Sequence, residues 1–181
     1  MDALNKLRID CARKQKRGIH FIIASVVIWI GITMIQYTHL PILTKNLLTF
    51  CFTAPLMPIA YLVSKIMKID FQNKENPLTN LGILFSANQI LYLLIAMWVY
   101  PTVPDKMLMI IAIIFGAHLL PFSWLYKSRV YMMMSVMIPI LALVVGCIFS
   151  SYILGMIMIV VELLFCILLG IENKIACIKG M

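Results

Sequence analysis

Apolar residues fall along this chain in six blocks separated by short polar stretches, at roughly 20–36, 47–67, 78–100, 107–126, 130–149 and 152–171. Each block is roughly 20 residues long, the length a helix rising about 1.5 Å per residue needs to cross about 30 Å of hydrocarbon. Strands of a membrane barrel would alternate polar and apolar at every second position, and these blocks do not. The pattern predicts an all-α, polytopic transmembrane bundle of about six spans over 18–171. A basic segment, 1–17, precedes it and a short tail, 172–181, follows. Proline interrupts the second block at Pro55 and Pro58, the fourth at Pro121 and the fifth at Pro139. Each should kink its helix by freeing a carbonyl one turn earlier.

Composition sharpens this picture. The 181 residues are 63% hydrophobic and 12% charged, against about 45–50% apolar and about 25% charged in soluble domains. A soluble fold would have too little polar surface to show to water. The net charge of +8 does not point to nucleic acid, because its placement has a simpler cause. Thirteen basic residues, among them Arg13, Lys14, Lys16, Arg17, Lys65, Lys68, Lys127, Arg129 and Lys179, fall on one side of the predicted topology, and Lys45 and Lys106 fall on the other. The positive-inside rule then puts both termini in the cytoplasm. Leu4, Leu7 and Cys11 share a helical face in the N-terminal segment, so it is expected to rest on anionic lipid of the bilayer or simply to fix topology. The stretch KIDFQNKENP at 68–77 is the most polar and is expected to be a mobile loop. The five cysteines suggest neither a disulfide framework nor a metal site.

Three spans carry polar side chains near mid-membrane: Asn88 and Gln89, His118, and Glu162. An ionised acid there costs about 2.5–3.5 kcal/mol on insertion scales. Glu162 is therefore expected to face the interior, with His118 as its natural partner and Pro121 opening a polar niche beside that histidine. At 100° per residue, Gly155 shares the face of Glu162, and Gly82 and Ser86 share that of Gln89. Ala142, Gly146 and Ser150 form a small-residue stripe suited to helix packing. No HExxH pair, nucleophile elbow or P-loop is present, so no catalytic residue, metal or cofactor is expected.

The stretches GIHFIIASVVIW at 18–29 and AHLLPFSWLYKS at 117–128 resemble a family of small bacterial membrane proteins known only as a domain of unknown function. The resemblance implies a multi-span protein of the bacterial cytoplasmic membrane and carries over no activity, ligand or catalytic residue. Two functional expectations follow from the residues. One is a small permease or proton-linked carrier using Gln89, His118 and Glu162, for which water must reach Glu162. The other is a non-catalytic accessory or partner-binding subunit, and both readings allow a homo-oligomer.

Overall fold

The structure is a computed structural model that describes residues 2–178, and every regular element among them is helical. Six helical stretches are long and apolar enough to span a membrane. A short helix, α1 (Asp2–Lys14), comes first, and a tight reversal over Gln15–Gly18 leads into α2 (Ile19–Tyr37). The second span is split into α3 (Ile42–Thr53) and α4 (Leu56–Ile66). Pro55 has no N–H to give the Cys51 carbonyl, which instead accepts from Ala54 N at 3.2 Å, so the first helix ends there. The third span, α5 (Leu78–Thr102), is continuous.

The fourth span divides at the expected place into α6 (Met107–His118) and α7 (Leu120–Leu125). Pro139 does not break α8 (Arg129–Ile148). Its ring instead packs into the space left by Gly116, where an added Cβ would lie 2.5 Å from Pro139 Cδ. Phe149 and Ser150 form a two-residue turn into α9 (Ser151–Ile178), so the fifth and sixth spans are full-length helices. The last helix extends beyond the expected boundary at 171, because Glu172 and Asn173 are held by Ser128, Arg17 and the Lys16 carbonyl.

The core is built by two antiparallel pairs, α2 with α9 and α6 with α8. Trp29, in the middle of α2, is only 2% exposed and meets Phe115 edge-on at 6.1 Å. Around this core α4 leans on α2, and α5 leans on α6 and α7. Segments carrying most of the basic residues meet at one end of the bundle, where α1, the 67–77 loop, the 126–128 turn and the end of α9 touch. Lys179 lies outside the described residues.

Candidate functional site

The seam between α2 and α9 keeps one register from end to end. Tyr37 meets Tyr152 at 5.2 Å, Gly155 abuts Thr33, Ser25 meets Glu162, and Arg17 meets Glu172 and Asn173. Glu162 is completely buried. Its Oε2 lies in hydrogen-bonding contact with Ser25 Oγ, which is also 2.7 Å from the Ile22 carbonyl. A serine hydroxyl has one proton to give. Ser25 therefore gives its proton either to Glu162 or to the Ile22 carbonyl, and in the second arrangement a protonated Glu162 donates to Ser25. Glu162 Oε1 has no partner, an omission worth about 1–3 kcal/mol when a polar atom is buried.

The expected pairing of His118 with Glu162 is not formed. His118 Nδ1 lies 2.5 Å from the Phe115 carbonyl of its own helix, and the ring sits beside Phe115 at 5.5 Å and Phe122 at 6.1 Å. The break at Pro121 thus opens an aromatic niche rather than a polar one. Gln89 lies on the narrow stripe of α5 turned toward the bundle, with Gly82 ahead of it packed on Leu125. It makes no hydrogen bond among the described residues. Asn88 faces outward and donates to Tyr92 Oη at 2.9 Å, one turn along α5. Ser86, expected to pack, is exposed and donates to the Gly82 carbonyl. Asn88, Gln89, His118 and Glu162 share a depth by sequence counting, but they point to different neighbours.

The small-residue stripe on α8 is filled from within the chain. Ala142 is fully buried, and Gly146 faces Met109 while its carbonyl accepts from Lys106 Nζ at 2.8 Å. Ser150 lies beyond the helix, in the exposed turn.

The 68–77 loop departs from the expected mobile loop, because it and the N-terminal segment fold onto each other. Asp10 accepts from Asn73 Nδ2 at 3.0 Å and Asn76 Nδ2 at 2.8 Å, and Asn76 also donates to the Leu7 carbonyl. Lys14 donates to Asn73 Oδ1 and Glu75, so Asn73 and Asn76 are almost fully buried and the loop is fastened. The Arg8 guanidinium stacks 4.4 Å over the Trp124 ring and donates to the Trp124 carbonyl. Tyr126 Oη donates to Gln15 Oε1 at 3.0 Å. Gly18, at φ 68°, turns the chain under this cap, and a Cβ there would press within 3.2 Å of the Tyr126 and Tyr131 hydroxyls.

The cap's electrostatics follow from these bonds. The Asn73 amide, ahead of Asn76 and Lys14, holds the Asp10 carboxyl below its ordinary value against the opposing effect of burial. The bond to Glu75 holds Lys14 above its ordinary value. Burial, helped by the Asp10 charge, pushes the Cys11 thiol up to about 11. Burial likewise raises the Tyr126 phenol.

At this end a cavity of about 540 Å³ is bordered by Tyr61 and Lys65 of α4 and by Asp70, Phe71, Lys74 and Glu75 of the loop. A second, also about 540 Å³, opens at the opposite end around Tyr37, His39, Lys45, Asp105, Lys106 and Tyr152. Neither includes Glu162. Behind the first cavity lies His20, 1% exposed, with neither ring nitrogen hydrogen-bonded. Its ring is 4.4 Å from Phe21 and 5.3 Å from Phe71. No group of three or more His, Cys, Asp or Glu able to hold a metal is found among the described residues.

Ser25, His20, Asp10, Asn73, Asn76 and Glu172 do not stand out in the sequence. A serine or histidine near a span's start reads as an ordinary interruption until the partner helix is known. No curated protein and no solved structure matches the chain. The family comparison covers residues 4–172, from the cap through the Glu172 latch, and the chain belongs to this family of unknown function, DUF7010.

Proposed function

We propose that this multi-pass membrane protein is a non-catalytic accessory subunit that associates with a second copy of itself through the outward face of α5. The observation that carries the reading is Asn88. In the α5 span only 11% of the most apolar window is buried, yet its outward surface bears an amide bonded only to Tyr92 and an exposed Ser86. An amide can make about four hydrogen bonds, and hydrocarbon offers none. A facing copy does, because amide and phenol each donate and accept and are self-complementary about a two-fold axis. Polar side chains on an otherwise apolar helix are a recurring means of joining spans.

The carrier expectation requires water at Glu162, whose side chain has no accessible surface and borders neither cavity. That geometry favours the accessory reading. The thirteen-to-two division of basic residues supports an orientation with both termini inside, and the resemblance supports a bacterial cytoplasmic membrane. The test is disulfide trapping in native-like vesicles, with a single cysteine at Leu91 in an otherwise cysteine-free chain. A trapped dimer that Asn88→Leu reduces several-fold is the expected result. A chain that stays monomeric across dilution, or dimerises equally with Leu at position 88, refutes it.

A further inference from the structure

The cavity at the basic end holds two ammonium groups with no fixed partner. Lys65 and Lys74 make no hydrogen bond or ion pair among the described residues, and Lys65 lies 5.3 Å over the Tyr61 ring. The acids beside them are already engaged. Glu75 is paired with Lys14 at 3.1 Å, and Asp70 Oδ1 accepts from Asn73 N at 2.9 Å. With Glu75 paired to Lys14, the cavity keeps the charges of Lys65 and Lys74 against that of Asp70, a net positive balance. Its wall toward the bundle is the Phe71 ring, touching Tyr61 at 5.5 Å on one side and His20 at 5.3 Å on the other. The His20 imidazole behind that ring is fully enclosed with both nitrogens unpartnered, and such a group calls for an explanation. The cavity lies where α4 leaves the membrane, and its volume falls within the roughly 300–1,000 Å³ of ligand pockets.

We propose that this cavity binds the phosphate group of a membrane phospholipid. Lys65 and Lys74 meet the phosphate, Tyr61 and Phe71 flank the glycerol, and the His20 N–H becomes a donor to the headgroup when the Phe71 ring turns aside. The site is separate from the α5 face, and it stands or falls independently of self-association.

The test is native mass spectrometry of the intact protein with added dioleoyl phosphatidylglycerol, with dioleoylglycerol and inorganic phosphate as parallel probes. The ¹⁵N resonances of His20 are followed under the same conditions. Phosphatidylglycerol should be retained and should shift the His20 signals, while dioleoylglycerol should do neither. Lys65→Met with Lys74→Met should lower retention about tenfold, and Arg129→Met, a basic change at the same end outside the cavity, should leave it unaltered. Equal retention of dioleoylglycerol means an apolar groove and overturns the proposal. Equal loss with Arg129→Met means general surface charge, and inorganic phosphate binding as tightly as lipid means a soluble-anion site. Either of those results also overturns it.

Discussion

Two parts of this bundle have similar compositions and opposite surroundings. In α2, 61% of the most apolar window is buried, whereas in α5 the figure is 11%. Both are strings of Ile, Leu and Val, and lipid tails are as apolar as those side chains, so hydrophobicity does not decide which helix goes inside. The difference lies in the polar and small residues. Along α2, Ser25 meets Glu162 of α9 and Gln36 donates to Thr49 of α3, while Thr33 packs on Gly155, which lets the α2 and α9 backbones close. Along α5 the polar residues Ser86 and Asn88 bond only within their own helix. A span joins the core when its polar groups are answered by another helix.

The sharpest test of packed against open surroundings is to crowd one position in the core and one at the edge of α2, where it meets the peripheral α3. Gly116→Ala puts a Cβ 2.5 Å from the Pro139 ring and 2.7 Å from Ile138 Cγ2, in a core where neither neighbour has room to move. A loss of about 1–3 kcal/mol is expected from overpacking of this kind, read as a lowered unfolding midpoint in mild detergent. Gly31→Ala brings its Cβ closer still, 2.0 Å from Phe52 Cε1. Phe52 is 38% exposed on the periphery and can swing outward, so the change should fall within about 0.5 kcal/mol of neutral, as at surfaces. If Gly31→Ala proves the more damaging, the division into a packed core and a yielding periphery is wrong.

Next in size is the buried acid. Ser25→Ala strands Glu162 without its one partner, and about 1–3 kcal/mol should be lost. Glu162→Gln keeps a donor for Ser25 and should cost less than half as much. The infrared carboxyl band that Glu162→Gln removes should be unmoved by His118→Ala, because the two side chains make no contact. A band that moves on removing His118 would restore the pairing expected from sequence.

That pairing shows where legibility ended. Six apolar blocks and their breaks at Pro55 and Pro121 were readable because span length and missing N–H groups are local properties. The burial of Glu162 in the bundle was readable from the cost of an acid in an apolar span. Its partner was not, since depth leaves the choice of neighbouring helix open, and it is Ser25 on α2 rather than His118 on α6. The cap was hidden for a related reason. Asp10, Asn73 and Asn76 look like solvent-exposed polar residues until α1 folds back across the loop, and polar composition alone then suggests mobility. Pro139 illustrates the opposite case, a residue read as a kink that instead fills the hollow at Gly116.

A smaller effect is expected where the cap meets water. Asp10 has a folded-state pKa depressed below its ordinary 3.8, chiefly by the Asn73 amide. A depressed carboxyl contributes stability above its unfolded value and loses it as pH falls through the folded one. The cap should therefore hold at neutral pH and loosen below about pH 3.8. The buried Cys11 thiol reports this: its labelling by a disulfide reagent active in acid should rise several-fold there. Asp10→Asn should flatten the response, and an unchanged acid response in that variant would place the titrating group elsewhere.

A small change of opposite sign tests the periphery from the permissive side. Around Gly170 in α9 no atom lies within 4 Å of an added Cβ, although the neighbouring Leu169 is fully buried. One residue's turn of the helix separates a packed position from an open one. Gly170→Ala removes the conformational freedom of glycine from a helix interior without creating a clash, and should stabilise by up to about 1 kcal/mol. A loss of stability on this substitution would mean that something covers Gly170 in the membrane. The natural candidate would be a second copy, and its contact would then reach beyond α5 to the outer face of α9.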